Sequence, residues 1–306
     1  MTLKERLLRR RLLLVTGKGG VGKSAVSAAL ARLLEGSGRD VFLLEADPRE
    51  SLFGMLGVEP SGGEVVRVSP RLRLQGVPLD RVVDGLVREM LPIEWISRRV
   101  LASPIYRQFN GGLPGLRESC LLGHALNLLE HPTLALGRGG RAPDVVVLDA
   151  PASGHVVSLL DAPRLLSEVI EHGPVGILVG RLARFLADAE AAGTVVVTTG
   201  EEMPVQETLE LVEALDARGG RPELVVANAL WPPVPPKIRG KAEGRDELWL
   251  RRSETGAREI SRLERVWSGP LARIPLLPLE AGPALVSEIR GRLETCALEE
   301  RTEAVS

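Results

Sequence analysis

The sequence predicts an α/β protein built on a doubly wound, mostly parallel sheet, and three observations carry that reading. Short apolar runs recur along the chain at 12–16, 41–45, 72–77, 145–148, 194–198, 224–227 and 271–276. Several are continuous rather than alternating, as in strands covered on both faces. Helical patterns separate many of them, and strands alternating with helices make a parallel sheet with a helical layer on each side. The third observation is a glycine-rich turn between the first run and the first helical pattern, where a phosphate-binding loop belongs.

Taken in order, the chain opens "MTLKERLLRRRLLLV", basic and then apolar. The apolar part, 12–15, is too short for a secretory h-region and runs directly into the glycines. We read it as a solvated basic lead-in followed by the first strand. A surface role for Arg9, Arg10 and Arg11 at a membrane or acidic partner is the alternative.

Gly17-Lys18-Gly19-Gly20-Val21-Gly22-Lys23-Ser24 then fits G-x-x-x-x-G-K-S/T. Glycines let successive backbone N–H groups turn onto phosphate oxygens, and the helix start adds partial positive charge. In this motif Lys23 reaches the β and γ phosphates and the Ser24 hydroxyl ligates Mg²⁺. Gly17, Gly19 and Gly22 also fit the dinucleotide pattern G-x-G-x-x-G, with Glu45 ending the second run where a ribose-binding acid would belong. The Lys23-Ser24 pair decides for a nucleoside triphosphate, since a dinucleotide loop has no use for it. The fold expected is therefore a P-loop NTPase sheet.

The run at 41–45 leads into "ADPRESL" and Asp47, a candidate for positioning the attacking water and for the metal site. A simple Asp-Pro turn is its alternative. Between about 79 and 133 no strand is evident, and "RVVDGLVREMLPIEWISRRVL" and "CLLGHALNLLE" both have helical spacing. We expect a helical subdomain inserted at 79–135 of a single domain spanning 1–306. Leu121, Leu122, Ala125, Leu126 and Leu129 form a stripe that belongs to its core or to an exposed patch for an apolar client. "PDVVVLDAPASGH" ends a strand in Asp149, at the ligand edge of the sheet, where a P-loop needs a carboxylate for its metal. A helix with Pro204 in its first turn and Val205, Leu209, Val212 and Leu215 on one face ends at Gly219-Gly220. "WPPVPPKIRG" reads as a stiff loop, followed by a charged, mostly helical stretch to 269.

Composition narrows the function classes. The 306 residues carry a net charge of −1 and only 3% aromatics, which offers neither a basic field nor stacking platforms for nucleic acid. Cys120 and Cys296 lie far apart without metal-site spacing, as expected of thiols in a reducing cytoplasm. No apolar run approaches the roughly 18 residues of a membrane span. Trp95, Trp231, Trp249 and Trp267 are expected as packing residues, and His124 and His131 as packing or surface residues.

With these pieces placed, the chain resembles the arsenite-pump ATPase family, which includes the guided-entry ATPase for tail-anchored membrane proteins. That family stands with the MinD and ParA ATPases in the P-loop class having the deviant pattern K-G-G-x-G-K-S/T, matched here by "KGGVGKS". "DPRESL" resembles the first switch and "DAPASGH" the second, keeping Asp149, Gly154 and His155. "LPGLRES", "VTTGEEMPVQETLEL", "VVANAL" and "IPLLPLEAG" are similar, in order, to further family segments. The resemblance implies ATP and Mg²⁺ as ligands and a cytosolic dimer, of two copies or with a paralogue. It implies that Lys18 crosses the dimer interface to the partner's nucleotide, that Asn228 reads adenine, and that Pro275 and Leu276 close the adenine side. His155 is expected as a structural residue of the switch, with γ-phosphate sensing as the alternative.

The departures are as informative. Ala46 stands where the family has Ser or Thr, and Arg49-Glu50 where it has Ala-His. Two separated cysteines do not copy the pump's thiol cluster, and "RGKAEGRDELWLRRSETG" has no cysteine for a zinc clasp. The span 155–194 is short for a client-binding insertion, and four methionines make no Met-rich groove. The expectation is an ATP-driven conformational switch that targets or chaperones hydrophobic or membrane-protein clients. An energising subunit of an anion or metalloid transporter and a MinD/ParA-like spatial organiser are the alternatives. The acidic end, "EIRGRLETCALEERTEAVS", argues against stable membrane docking through it.

Overall fold

The computed structural model describes residues 3–47, 49–77, 116–137, 139–150, 156–169, 172–188, 190–239 and 244–303. Eight strands form one sheet in the order β3-β4-β2-β5-β1-β6-β7-β8. They are β1 (Leu12–Thr16), β2 (Val41–Glu45), β3 (Val66–Ser69), β4 (Leu72–Gly76), β5 (Val145–Asp149), β6 (Ala192–Thr198), β7 (Leu224–Leu230) and β8 (Leu271–Pro275). All pairings are parallel except β3 with β4. The central strand β1 lies between β5 and β6. The chain leaves β1 toward β2 on one side and later returns to β6 on the other, so the order reverses at the tip of β1, where open parallel sheets bind ligands.

The central apolar runs become strands because they feed both faces of the sheet at once. Leu13, Val15, Leu43, Val147 and Val197 point to one face, beneath α2 (Lys23–Gly36). Leu12, Leu14, Phe42, Leu44 and Leu148 point to the other. This is the period-2 alternation of a strand with apolar residues at every position. Truncating a fully buried member such as Leu43 to Ala costs about 2–5 kcal/mol. Four alanines of α2, at 25, 28, 29 and 31, are buried and let that helix lie close on the sheet.

Several expectations change. β3 has no counterpart in the sequence reading. It is an edge strand, only partly buried, antiparallel to β4, with an irregular register between Arg67 and Ser69. The basic lead-in is only partly solvated: 3–9 form helix α1 (Leu3–Arg9), with Leu3 and Leu7 buried and Arg10 6% exposed, while Arg9 and Arg11 are exposed. The Arg10 Nε and Nη2 both donate to Glu223, at 3.0 and 2.7 Å. Of the insertion expected at 79–135, residues 79–115 lie outside the described residues. Residues 116–130 form α4 (Leu116–Glu130), whose stripe of Leu121, Leu122, Ala125, Leu126 and Leu129 is buried against the second face of the sheet. That stripe is sheet cover, not an exposed patch. Of the tryptophans, Trp267 is buried, Trp249 is half-buried and Trp231 is 38% exposed; Trp95 lies outside the described residues.

Five more helices complete the frame: α5 (Pro132–Leu136), α6 (Val156–Val169), α7 (Gly173–Ala187), α8 (Glu202–Asp216) and α9 (Pro236–Arg239). α10 (Arg245–Val266) covers β7, and α11 (Pro283–Glu303) lies along α2 through Val286, Ile289 and Leu293. Among the described residues, no helix is long and apolar enough to cross a membrane.

Candidate nucleotide site

The glycine loop links β1 to α2, and its shape is dictated by close approaches. Gly17 has φ +143°, and a Cβ there would stand 2.0 Å from the Val197 carbonyl oxygen of β6. Gly22 has φ +90° and caps α2; a Cβ there would stand 2.2 Å from the Asn228 amide nitrogen. A Cβ at Gly17 would collide with backbone, and at Gly22 the positive φ strains any L side chain. Val21 is buried and anchors the loop, while Gly19 and Gly20 remain exposed at its crest.

Lys23 opens α2 and is 8% exposed. Its ammonium donates to the Lys18 carbonyl at 3.1 Å, folding back across the loop. Burial pushes this ammonium below the usual lysine range, against the pull of Asp149 and Asp47. Asp149, at the tip of β5, is in register with Val15 on one side and Glu45 on the other. Its Oδ2 accepts from the Ser24 hydroxyl at 2.8 Å and its Oδ1 from the Ser27 hydroxyl at 2.8 Å. Burial raises its pKa, and the two hydroxyls oppose that shift.

These oxygens fit Mg²⁺. A buried carboxylate with a raised pKa is short of positive charge, and Ser24 Oγ beside it is the second hard oxygen donor. Among the described residues, no three His, Cys, Asp or Glu side chains gather into an all-protein metal cage. A Mg²⁺ site built on phosphates and water does not need one. Ser24 and Asp149 would hold the ion, and Asp47 stands nearby, just after β2.

Asp47 follows β2 and is wrapped by its own neighbour. The Arg49 Nη2 donates to Asp47 Oδ2 at 2.6 Å, and the Arg49 Nε and backbone N–H donate to Oδ1 at 3.0 and 2.9 Å. These bonds hold the Asp47 carboxyl below the usual carboxylate range. Glu45 is fully buried and does not face a ribose. It accepts from the Ser51 hydroxyl at 2.8 Å and the Leu52 N–H at 3.1 Å, so it caps the start of α3 (Ser51–Leu56). Burial raises it to about 7.

On the other side of the loop, Lys18 does not point away from its own subunit. Its ammonium meets Glu207 of α8 at 2.7 Å. Asn228 donates its amide N–H to the Val21 carbonyl at 2.9 Å and so supports the loop from β7. The next residue, Ala229, has φ +53°, a left-handed turn unusual outside glycine. Pro275 ends β8, and Leu276 donates its N–H to the Leu230 carbonyl at 2.7 Å. Leu276 joins Thr199, Leu230, Trp231, Leu248 and Arg252 around an open cleft of about 740 Å³.

Lys23, Ser24 and Asp149 are thus brought together, with Asp47 and Lys18 at either rim. Pro275 and Leu276 stand along the same sheet edge. Gly154 and His155 lie outside the described residues. The sequence reading missed Ser27 and Glu207. Ser27 sits three residues after Ser24, on the same helix face, which is the signal that pointed to it.

Loop, lysine and strand-tip carboxylate together define the P-loop class of nucleotide-binding proteins. Within that class, the profile of the anion-transporting ATPase family matches residues 10–174, and the chain belongs to this family. The ATPase BagA of Mycobacterium tuberculosis is 31% identical over 214 residues, covering 67% of this chain and 61% of BagA. A putative arsenical pump-driving ATPase of Aquifex aeolicus is 24% identical over 279 residues, 83% of this chain and 88% of that one. The arsenical pump-driving ATPase of Escherichia coli is 27% identical over 259 residues, 79% of this chain and 42% of that protein. The chain therefore spans about three-fifths of the length of its mycobacterial relative.

Proposed function

We propose that the protein is a Mg²⁺-dependent ATP hydrolase of the cytoplasm, acting as a dimeric, nucleotide-driven switch. The observation that carries this reading is the Ser24–Asp149–Ser27 arrangement beneath the loop, with Lys23 buried beside it. The loop amides and Lys23 bind and orient the β and γ phosphates. Ser24 and Asp149 hold the metal, which when bound neutralises phosphate charge. Asp47 positions the attacking water. Lys18 leaves Glu207 and reaches the nucleotide of a partner subunit, a second copy or a paralogue. Asn228, Pro275 and Leu276 receive the adenine, the Asn228 amide turning from Val21 to the base edge.

The switch serves hydrophobic or membrane-protein clients in this reading. Support comes from exposed Met203, Trp231 and Leu248 on the α8–α10 side, apolar groups that a conformational change can offer or withdraw. An energising role for an anion or metalloid transporter is favoured by the names of the relatives. Against it, Cys120 packs on one face of the sheet and Cys296 on the other, so they form no thiol pair for a metalloid.

The test is phosphate release from MgATP by the purified chain, with its mass in ATP and in ADP. Turnover that needs Mg²⁺ and falls at least about 100-fold in Asp149→Asn is expected. A folded wild-type protein that neither binds nor hydrolyses ATP overturns the reading.

A further inference from the structure

The first switch contains a cation that the roles above leave unused. Arg49 has most of its side chain in solvent, 79%, yet its guanidinium is committed to Asp47 through both Nε and Nη2. In the hydrolase reading above, Asp47 stands beside the reacting phosphate, near Lys23 and Asp149. Arg49 therefore stands at the rim of the phosphate cradle, within electrostatic reach of Lys23 and Glu45. An alanine, as the resembled family carries at this position, has no such group.

Three features make the pairing with Asp47 a resting arrangement. A solvent-exposed ion pair is screened and contributes little, so it is easily exchanged. Asp47 is also the partner sought by water and metal, and its departure frees the guanidinium. The switch backbone is tense at this point as well. Glu50 has φ +48° without being glycine, and its N–H bonds back to the Asp47 carbonyl at 3.2 Å. Left-handed conformations outside glycine are strained and cluster at active sites and switch regions.

We propose that Arg49 is a catalytic residue, an arginine finger supplied within the same subunit, which passes from Asp47 to the γ-phosphate when MgATP binds. The inference rests on the ATP-hydrolase reading. The planar fork presents parallel N–H donors that match two phosphate oxygens, and it stays charged throughout. In the reaction, the water oxygen forms a bond to the γ phosphorus. The bond from that phosphorus to the β–γ bridging oxygen breaks. ADP leaves with the electron pair and the water proton ends on the phosphate released. Arg49 takes no proton and bonds to nothing covalently; it stabilises the charge spread over the equatorial oxygens. Arginine fingers are worth about 10³–10⁵ in rate. Lys18 and Lys23 share the same charge here, so a smaller effect of about 10- to 100-fold is expected for Arg49.

The experiment compares wild type, Arg49→Ala and Arg49→Lys. It measures ATP turnover, binding of fluorescent ATP, and binding of ADP with aluminium fluoride, which mimics the transferring phosphate. The proposal expects kcat to fall about 10- to 100-fold in Arg49→Ala with ATP affinity within about threefold of wild type. It also expects the ADP–aluminium fluoride complex to weaken in proportion to kcat, and Arg49→Lys to recover part of both. An unchanged or raised kcat in Arg49→Ala, or a loss carried entirely by KM, rejects the role while leaving the hydrolase reading intact. A wild-type protein that binds no nucleotide rejects both. If wild type binds ATP with slow turnover, the aluminium fluoride complex still decides: equal binding by wild type and Arg49→Ala overturns the inference.

Discussion

On the β5 side of β1, Asp149 is 3% exposed and each of its oxygens takes a serine hydroxyl at 2.8 Å. On the β6 side, Lys18 meets Glu207 at 2.7 Å, with 36% and 39% of the two side chains in solvent. Both are short polar contacts, but only the first is expensive to break. A buried carboxylate that loses its donors bears the full desolvation penalty, whereas a screened surface pair is worth about 1 kcal/mol or less. In the proposed reading, the side that takes phosphate and metal is built in advance, and the Lys18 side is the one that changes partners. A switch needs both kinds: fixed groups to hold the ligand and loosely held groups to respond to it.

The strongest way to break this comparison is Lys18→Ala. If Lys18 exchanges Glu207 for a partner's nucleotide, the variant should bind ATP as a monomer yet lose most hydrolysis, up to about 10³-fold, and the ATP-dependent dimer. Mixing it with an Asp47→Asn subunit sharpens the point. One composite site then pairs an intact Lys18 with an intact Asp47, and turnover should rise above the sum of the separate variants. Mixed dimers without that rise place Lys18 in its own subunit's site.

A smaller effect is expected at Asn228, which stands between the two regimes. Its amide is buried like the β5 side, and in the proposed reading it receives the base. Asn228→Ala leaves the Val21 carbonyl without its donor, at a cost of about 1–3 kcal/mol. Equilibrium unfolding should register that loss. Steady-state kinetics should show a raised KM for ATP and weaker preference for ATP over GTP, because an Asn amide can accept from adenine N6 and donate to N7, whereas guanine carries the O6 acceptor where adenine has the N6 donor. Equal use of both nucleotides by the wild type removes Asn228 from base reading and leaves it as a loop support.

The smallest effect concerns stability on the rigid side. His124 of α4 bonds Gln75 of β4 at 3.1 Å, and burial pushes its pKa down to about 4. The unfolded chain, with histidine near 6.5, binds a proton in this window that the folded chain refuses. Stability should therefore fall as pH drops from 6.5 to about 4. His124→Gln should flatten that fall, by a few degrees of Tm on the order of magnitude for a chain of this size. Thermal scans across the window check it; parallel slopes for both proteins mean that the ring is solvated.

Seven of the eight strands were legible, the central ones because doubly covered strands write continuous apolar runs, β4 and β8 because apolar residues alternate on their buried face. β3 was not: its four residues are at most partly buried and leave no apolar run. The α4 stripe announced a buried face but not its partner. Helical spacing says that one side meets apolar surface, not whether that surface is a sheet or another helix. Lys23, Ser24 and Asp149 were legible as chemistry of fixed spacing at strand ends. Glu207 lies 189 residues from Lys18, and Ser27 reaches a carboxylate 122 residues away. No local pattern joins such pairs.

What the sequence determined by itself is local. Glycines at 17, 20 and 22 permit φ of +143°, +84° and +90°, and the alternation of apolar runs with helices requires a parallel sheet. What only the tertiary structure decided is which charges meet. Lys18 pairs with Glu207 and Asp47 with Arg49, while Asp149 takes Ser24 and Ser27. Backbone conformation is set by sterics within a few residues. The partner of a side chain at a strand tip depends on which strands lie side by side, and that is settled only when the whole sheet has closed around its two cores.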